Sequence, residues 1–233
     1  MNWGKLSSVI NYSIKLDAHS MAARIPIIRS DALNIALSYL NLGSVIAVPT
    51  DTVYGLACDA TNPSALDKLY AIKCRSESKP VAICLGQISE VKLWARVSHL
   101  PKDLLSALLP GPVTLILECI NKLDSSISCQ GKVGIRIPDH SFINCLAIGL
   151  NKPIALTSAN LSNTPSALNI FGFEKIWDRI PAIFDGGNLG SDPSASTIVD
   201  LSTIGLYQIV REGVACGNTV KILSDFGLKR KYE

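Results

Sequence analysis

Charged residues are scarce in this chain, at 18% of 233 residues, and only three are histidines besides. The 22 lysines and arginines against 19 aspartates and glutamates leave a net charge of +3, so the chain is not a polycation and any phosphate affinity must come from local clustering. A hydrolase triad is poorly supported, because His99 and His140 lack a nucleophile elbow and His19 lies in the leading segment. The seven cysteines (Cys58, Cys74, Cys84, Cys119, Cys129, Cys145, Cys216) contain no CxxC pair. With so few histidines they offer no zinc spacing and read as buried free thiols in a reducing compartment. No run of about eighteen apolar residues is present, which argues against a membrane-spanning helix. Neither GxxxxGK[ST] nor GxGxxG occurs, so a bound nucleotide would need another device.

What is present is a hydrophobic content of 48%, enough to bury a sizeable core. The stretch from Val45 to Leu56 organises the rest. Val45-Ile46-Ala47-Val48 predicts a strand buried on both faces, and Pro49 withdraws a ladder donor, so the strand should end there. Thr50, Asp51, Thr52 and Tyr54 follow at its carboxyl end, where open α/β sheets place their ligands. A polar turn with Gly55 in an unusual dihedral is the competing reading.

Ser30 is placed to cap a helix from Asp31 to about Leu42, with Leu33, Leu37 and Leu40 as its stripe and Gly43 as its stop. Asn62-Pro63 starts a second helix through Leu66, Leu69, Tyr70 and Ile72. Strands are predicted at 81–85, 113–117, 133–137, 153–156, 182–184, 196–200 and 207–210. Helices are predicted near 90–97, 102–109, 141–148 and 173–179, with the Pro110-Gly111-Pro112 triplet forcing a loop. This interleaving without a repeated βαβ rhythm predicts an α/β fold with a twisted mixed sheet. It divides as an N-terminal extension over 1–26, one domain over 27–222 and a C-terminal tail over 223–233, solvated and frayed. In the extension, Lys5, Lys15 and Arg24 against Asp17 suit either a mitochondrial presequence or an unstructured leader, so both a cytoplasmic and a mitochondrial location are expected.

Lys73, Arg75 and Lys79 gather three cations within seven residues at a helix end taken to be exposed, a pattern that suits phosphate as well as it suits a helix C-terminus. Arg136 sits in an otherwise apolar strand and must find an anionic partner or reach a cleft. His140 reads as structural rather than as a base.

Taken in order, Pro49-Thr-Asp-Thr-Val-Tyr-Gly-Leu56, Lys73-x-Arg75 with Lys79-Pro80, Pro110-Gly-Pro-Val-Thr114, Arg136-Ile-Pro-Asp-His140, Ser158-Ala-Asn160, Ser196-Thr197 and Arg211-Glu-Gly213 form a specific set. By this set the sequence closely resembles the YrdC/Sua5 family of threonylcarbamoyl-AMP synthases, in its short animal form, over about residues 27–222. The resemblance implies a YrdC-like fold with a basic concave face. It also implies condensation of L-threonine, bicarbonate and ATP to L-threonylcarbamoyladenylate with release of pyrophosphate. The tRNA threonylcarbamoyl-transferase complex would consume the product to make N6-threonylcarbamoyladenosine at position 37. Carried over by motif, Thr52, Arg136 and Ser196 would hold threonine. Lys73, Arg75, Lys79, Ser158, Asn160, Ser166 and Arg211 would hold ATP, with Lys73 and Arg75 as the catalytic pair and Mg2+ accompanying the nucleotide. Cys84 stands where many microbial members have a histidine, and the longer Sua5 form adds a C-terminal domain over the site. The alternative class is a non-catalytic module that binds tRNA or double-stranded RNA through the same basic concavity.

Overall fold

Residues 22–74, 80–161 and 164–231 are described by the computed structural model. In chain order the elements are β1 (Ala23–Pro26), α1 (Ala32–Asn41), β2 (Ile46–Val48), β3 (Gly55–Asp59), α2 (Pro63–Lys73), β4 (Ala82–Cys84), α3 (Val91–Trp94), α4 (Leu104–Leu108), β5 (Val113–Glu118), β6 (Ser128–Cys129), β7 (Lys132–Arg136), α5 (Ser141–Leu150), β8 (Ile154–Ser158), β9 (Ala182–Asp185), β10 (Thr197–Asp200), β11 (Leu206–Arg211), α6 (Cys216–Asp225) and β12 (Lys229–Arg230). A 3-10 stretch over Ile170–Arg179, broken into two pieces by a kink at Phe173, takes the place of the helix expected near 173–179.

The strands form one mixed sheet in the order β1-β9-β2-β3-β8-β4-β7-β5-β10-β11-β12, with β6 pairing β7. The twisted mixed α/β architecture that the interleaving predicts is the one that forms. Alternation along each strand sorts its residues between two cores. Ala47, Leu56, Ile83, Val133, Ile135, Leu115 and Ala155 face one core, built with Leu66 and Leu69 of α2, Leu104 of α4 and Leu223 of α6. Ile46, Val48, Ala57, Ile154 and Phe184 face the other, built with Ala36 and Leu40 of α1 and Ile143 and Leu146 of α5. The first core runs under nearly the whole sheet, whereas α1 and α5 cover the opposite face mainly over β9, β2, β3 and β8. Among the described residues no helix packs on that face of the remaining strands, and there the site lies.

Several boundaries differ from the sequence reading. Asp31 rather than Ser30 occupies the N-cap of α1, and it caps with no side-chain bond because its carboxylate pairs with Arg29 at 2.5 Å. Ala32, Ala36, Tyr39 and Leu40 form the buried stripe of α1, with Leu33 and Leu37 only half-buried beside it. Strand β3 is absent from the prediction, since its first residues read as the tail of a polar turn. Gly55 opens it because a Cβ there would stand 2.7 Å from Leu156 Cδ1 and 3.2 Å from the Thr157 carbonyl, a need for close approach rather than for a special dihedral.

At the N-terminal end, β1 pairs with β9 from Ala23 to Pro26, so the extension expected over 1–26 gives way to sheet from Ala23 onward. Arg24, expected as a cation of the leader, lies 3.9 Å from the ring centroid of Trp177 instead. The remainder of the leader, 1–21, lies outside the described residues. At the other end, α6 buries Thr219 and Leu223, and Lys229 and Arg230 pair with Leu206 and Tyr207. The residues expected as a frayed tail from 223 are therefore ordered as far as 231.

Candidate active site

Polar groups collect at one end of the sheet for a topological reason. Arg136, Ser158 and Arg211 close strands β7, β8 and β11, and Thr50–Thr52 follow β2. Antiparallel pairing brings Gly55 opposite Ser158 and Thr114 opposite Arg136, so the starts of β3 and β5 meet those ends. From this edge a cavity extends over the uncovered face, with about 960 Å³ of empty space counted out to its open mouth. Its floor combines the small residues Ala82, Gly134 and Thr114, which leave room for a small molecule, with the apolar side chains of Ile116 and Ile198.

Arg136 commands one end. Its side chain is 10% exposed and its Nη2 donates to Asp51 Oδ1 at 2.5 Å and Thr52 Oγ1 at 2.7 Å. The buried arginine thus has both of the things the strand pattern demands, an anionic partner and a cleft. Its Nε is buried without a hydrogen-bond partner among the described residues, an orphan donor of the sort a ligand oxygen satisfies. Thr50 shapes the turn below it: its Oγ1 donates to the Val53 carbonyl at 2.7 Å and accepts from the Thr52 amide at 3.2 Å.

The hydroxyls of Thr114 and Ser196 meet at 2.9 Å beside this end. Arg211 reaches the same point, its Nη2 donating to the Ser196 carbonyl at 2.8 Å and to Ser196 Oγ at 3.1 Å. A bulge aims it there. Val199 pairs with Ile209 but Ile198 with Arg211, so one residue of β11 is skipped and Arg211 rather than Val210 takes the cavity side. Gly213 makes the approach physically available, since a Cβ on it would lie 2.4 Å from backbone atoms of Ala195, Ser196 and Thr197.

Lys73 is placed otherwise than the sequence predicts. It is 3% exposed, not at an open junction, and its Nζ donates to the carbonyls of Ser158 at 2.6 Å and Asn160 at 2.8 Å and to Asn160 Oδ1 at 3.0 Å. Ser158 Oγ stands a little further from the same Nζ, at 3.5 Å. Lys73 therefore clamps the turn after β8 and does not line the cavity. In that turn Ser158 Oγ donates to Asn160 Oδ1 at 2.5 Å, and Asn160 Nδ2 donates to the Thr164 carbonyl. Ser158 lines the cavity, whereas Ser166 is half-buried beyond it. Arg75 and Lys79 lie outside the described residues.

Three nearby groups, Cys84, His140 and Tyr54, are shifted toward their neutral forms. Burial pushes the Cys84 thiol up to about 12, against the lowering pull of Arg136, and Cys84 is fully buried in the α1/α5 core. Burial likewise lowers the His140 pKa against the raising influence of Asp51, which suits a structural imidazole at the start of α5. Tyr54 is also pushed up to about 12 by burial; its hydroxyl donates to the Gly187 carbonyl at 2.9 Å and accepts from the Gly186 amide at 2.9 Å. Two site residues carried no role in the sequence reading, Asp51 and Thr114, although both stand inside motifs that it singled out.

Comparison with known proteins gives this geometry its context. The family model for Sua5, YciO and YrdC proteins, described as "Telomere recombination", matches residues 38–213. A Bos taurus protein named threonylcarbamoyl-AMP synthase is 45% identical over 205 residues, covering 85% of this chain and 74% of its own length. A crystal structure of P. abyssi Sua5 complexed with L-threonine matches with a TM-score of 0.78 at 24% identity, over 91% of this chain and 63% of that one. A second P. abyssi Sua5 structure matches with a TM-score of 0.74 at 27% identity, over 83% of this chain. The chain spans 57% and 63% of the length of those two Sua5 chains. With a family match across most of its residues, close curated relatives and a shared sheet, the chain belongs to the Sua5/YciO/YrdC family.

Proposed function

We propose that this chain is a threonylcarbamoyl-AMP synthase, joining L-threonine, bicarbonate and ATP to give L-threonylcarbamoyladenylate, pyrophosphate and water. The observation that carries the reading is the convergence of four separated motifs, around Thr52, Arg136, Ser196 and Arg211, on one cavity over the uncovered sheet face. The relatives named for this activity support it.

In this reading the Nε of Arg136 and the hydroxyls of Thr52 and Ser196 hold the amino acid, its carboxylate against the guanidinium. Arg211 and Ser158 take the nucleotide with Arg75 and Lys79, and Lys73 and Asn160 hold the Ser158 turn in place. No strong base is required of the protein. Threonine's deprotonated amine condenses with bicarbonate, losing water. A carbamate oxygen then attacks the α-phosphorus of ATP as the bond to pyrophosphate breaks. Alignment and charge neutralisation supply most of the acceleration. Magnesium would be held by the phosphates of ATP and would supply neutralisation of the charge on pyrophosphate. Among the described residues no group of three histidine, cysteine or carboxylate side chains could ligate the ion.

The product would pass to the tRNA threonylcarbamoyl-transferase complex. An RNA-binding module is the weaker reading, since Tyr54, the aromatic residue at the cavity wall, is fully buried and offers no stacking platform. The test is pyrophosphate release with each substrate omitted in turn. Release that needs both threonine and bicarbonate supports the synthase, and salt-sensitive RNA binding without turnover contradicts it.

A further inference from the structure

We propose that Asp51 is a positioning residue that sets the direction in which Arg136 presents its guanidinium to the amino-acid carboxylate. The inference rests on the reading of Arg136 as the carboxylate ligand. Both side chains are almost wholly enclosed, at 10% exposure for Arg136 and 8% for Asp51. Each carboxylate oxygen of Asp51 is engaged on a different element. Oδ1 accepts from Arg136 Nη2 at 2.5 Å, and Oδ2 accepts from the backbone amide of Asp139 at 3.0 Å. Asp51 thereby ties the turn after β2 to the loop after β7, with the guanidinium held between them.

The consequence for the ligand is directional. Nη2 is spent on Asp51 and Thr52, with Thr50 Oγ1 further off at 3.4 Å, while Nε is a buried donor without a partner among the described residues. A guanidinium presents its donors in a fixed fork, so fixing one corner fixes where the others point. The pair is also neutral as a unit. Carboxylate recognition at this end then depends on how the hydrogen bonds are aimed and less on excess positive charge. Removing the charge of Asp51 strengthens the attraction for any anion yet frees the fork to turn, so selectivity and turnover fall while threonine's KM does not rise in proportion.

The experiment measures pyrophosphate release by the full chain, in bicarbonate and ATP, with L-threonine and with L-threoninamide, which keeps the amine and side chain but lacks the carboxylate. Wild type prefers threonine. In Asp51→Asn that preference in kcat/KM is expected to fall roughly 10- to 100-fold, with the KM for ATP unchanged. An equal loss with both substrates would mark Asp51 as merely structural and overturn the proposal. Arg136→Gln is the control. If it leaves the preference intact, the carboxylate reading of Arg136 fails and the proposal with it. If it abolishes the preference while Asp51→Asn keeps it, the positioning role alone fails. Should Asp51→Asn not fold, Asp51→Glu, which keeps the charge but displaces it by one methylene, is read by the same ratio.

Discussion

Lys73 carries a charge into the interior, and three oxygens of the Ser158–Asn160 turn receive it. Replacing it with methionine keeps length and apolar contact but strands those acceptors, two of them backbone carbonyls. Lys73→Met is therefore expected to lower unfolding free energy by about 2–4 kcal/mol, measured by urea denaturation, and to reduce turnover through Ser158. A variant as stable as wild type but inactive would return Lys73 to direct phosphate binding. The burial was legible in the sequence. Lys73 follows Leu66 by seven residues and Leu69 by four, which sets it on the inward stripe of α2, but its charge drew it into the neighbouring cation cluster. Arg136 was legible for the opposite reason, being the one charge at the inner end of an apolar strand. Asp51 was not, because the 85 residues separating it from its partner leave no local trace.

At the scale of elements, the hairpin of β10 and β11 decides where Arg211 points. Alternation from Tyr207 and Ile209, both against the first core, would have carried Arg211 to that same side. The bulge opposite Ile198 reverses the parity, and no residue pattern in β11 announces it. Strand β3 and helix α6 were missed on similar grounds, the first for its polar leader and the second for its mixed composition, whereas β2, β5, β7 and β8 were plain in their apolar runs. Gly213 is the element's most exacting residue. Gly213→Ala is expected to cost about 1–3 kcal/mol or more, because the atoms in its way are backbone and cannot swing aside. It should lower turnover further by moving Ser196. Gly55→Ala should cost less, since the nearest obstruction there is the end of the Leu156 side chain. Thermal unfolding of the two variants side by side checks the order, and equal shifts would contradict it.

For the whole molecule, the unequal covering of the sheet makes the site: helices pack along one face and leave half of the other for ligands. The edge strand β1 closes the covered half, with Ile25 buried and Arg24 stacked on Trp177. Removing residues 1–21 is expected to spare turnover, while removing 1–26 should lower the melting temperature by several degrees, roughly 2–8 °C for a loss of about 1–2 kcal/mol. Equal stability of the two truncations would show that β1 contributes nothing. The central claim is that this open half-face holds both substrates. Its most direct test is a crystal structure with L-threonine and a non-hydrolysable ATP analogue. The account predicts the threonine carboxylate at Arg136 beside Thr52 and Ser196, with the phosphates across the Gly134 floor toward Arg211 and Ser158. Either ligand bound on the α1/α5 side of the sheet, or threonine seated away from Arg136, would contradict it.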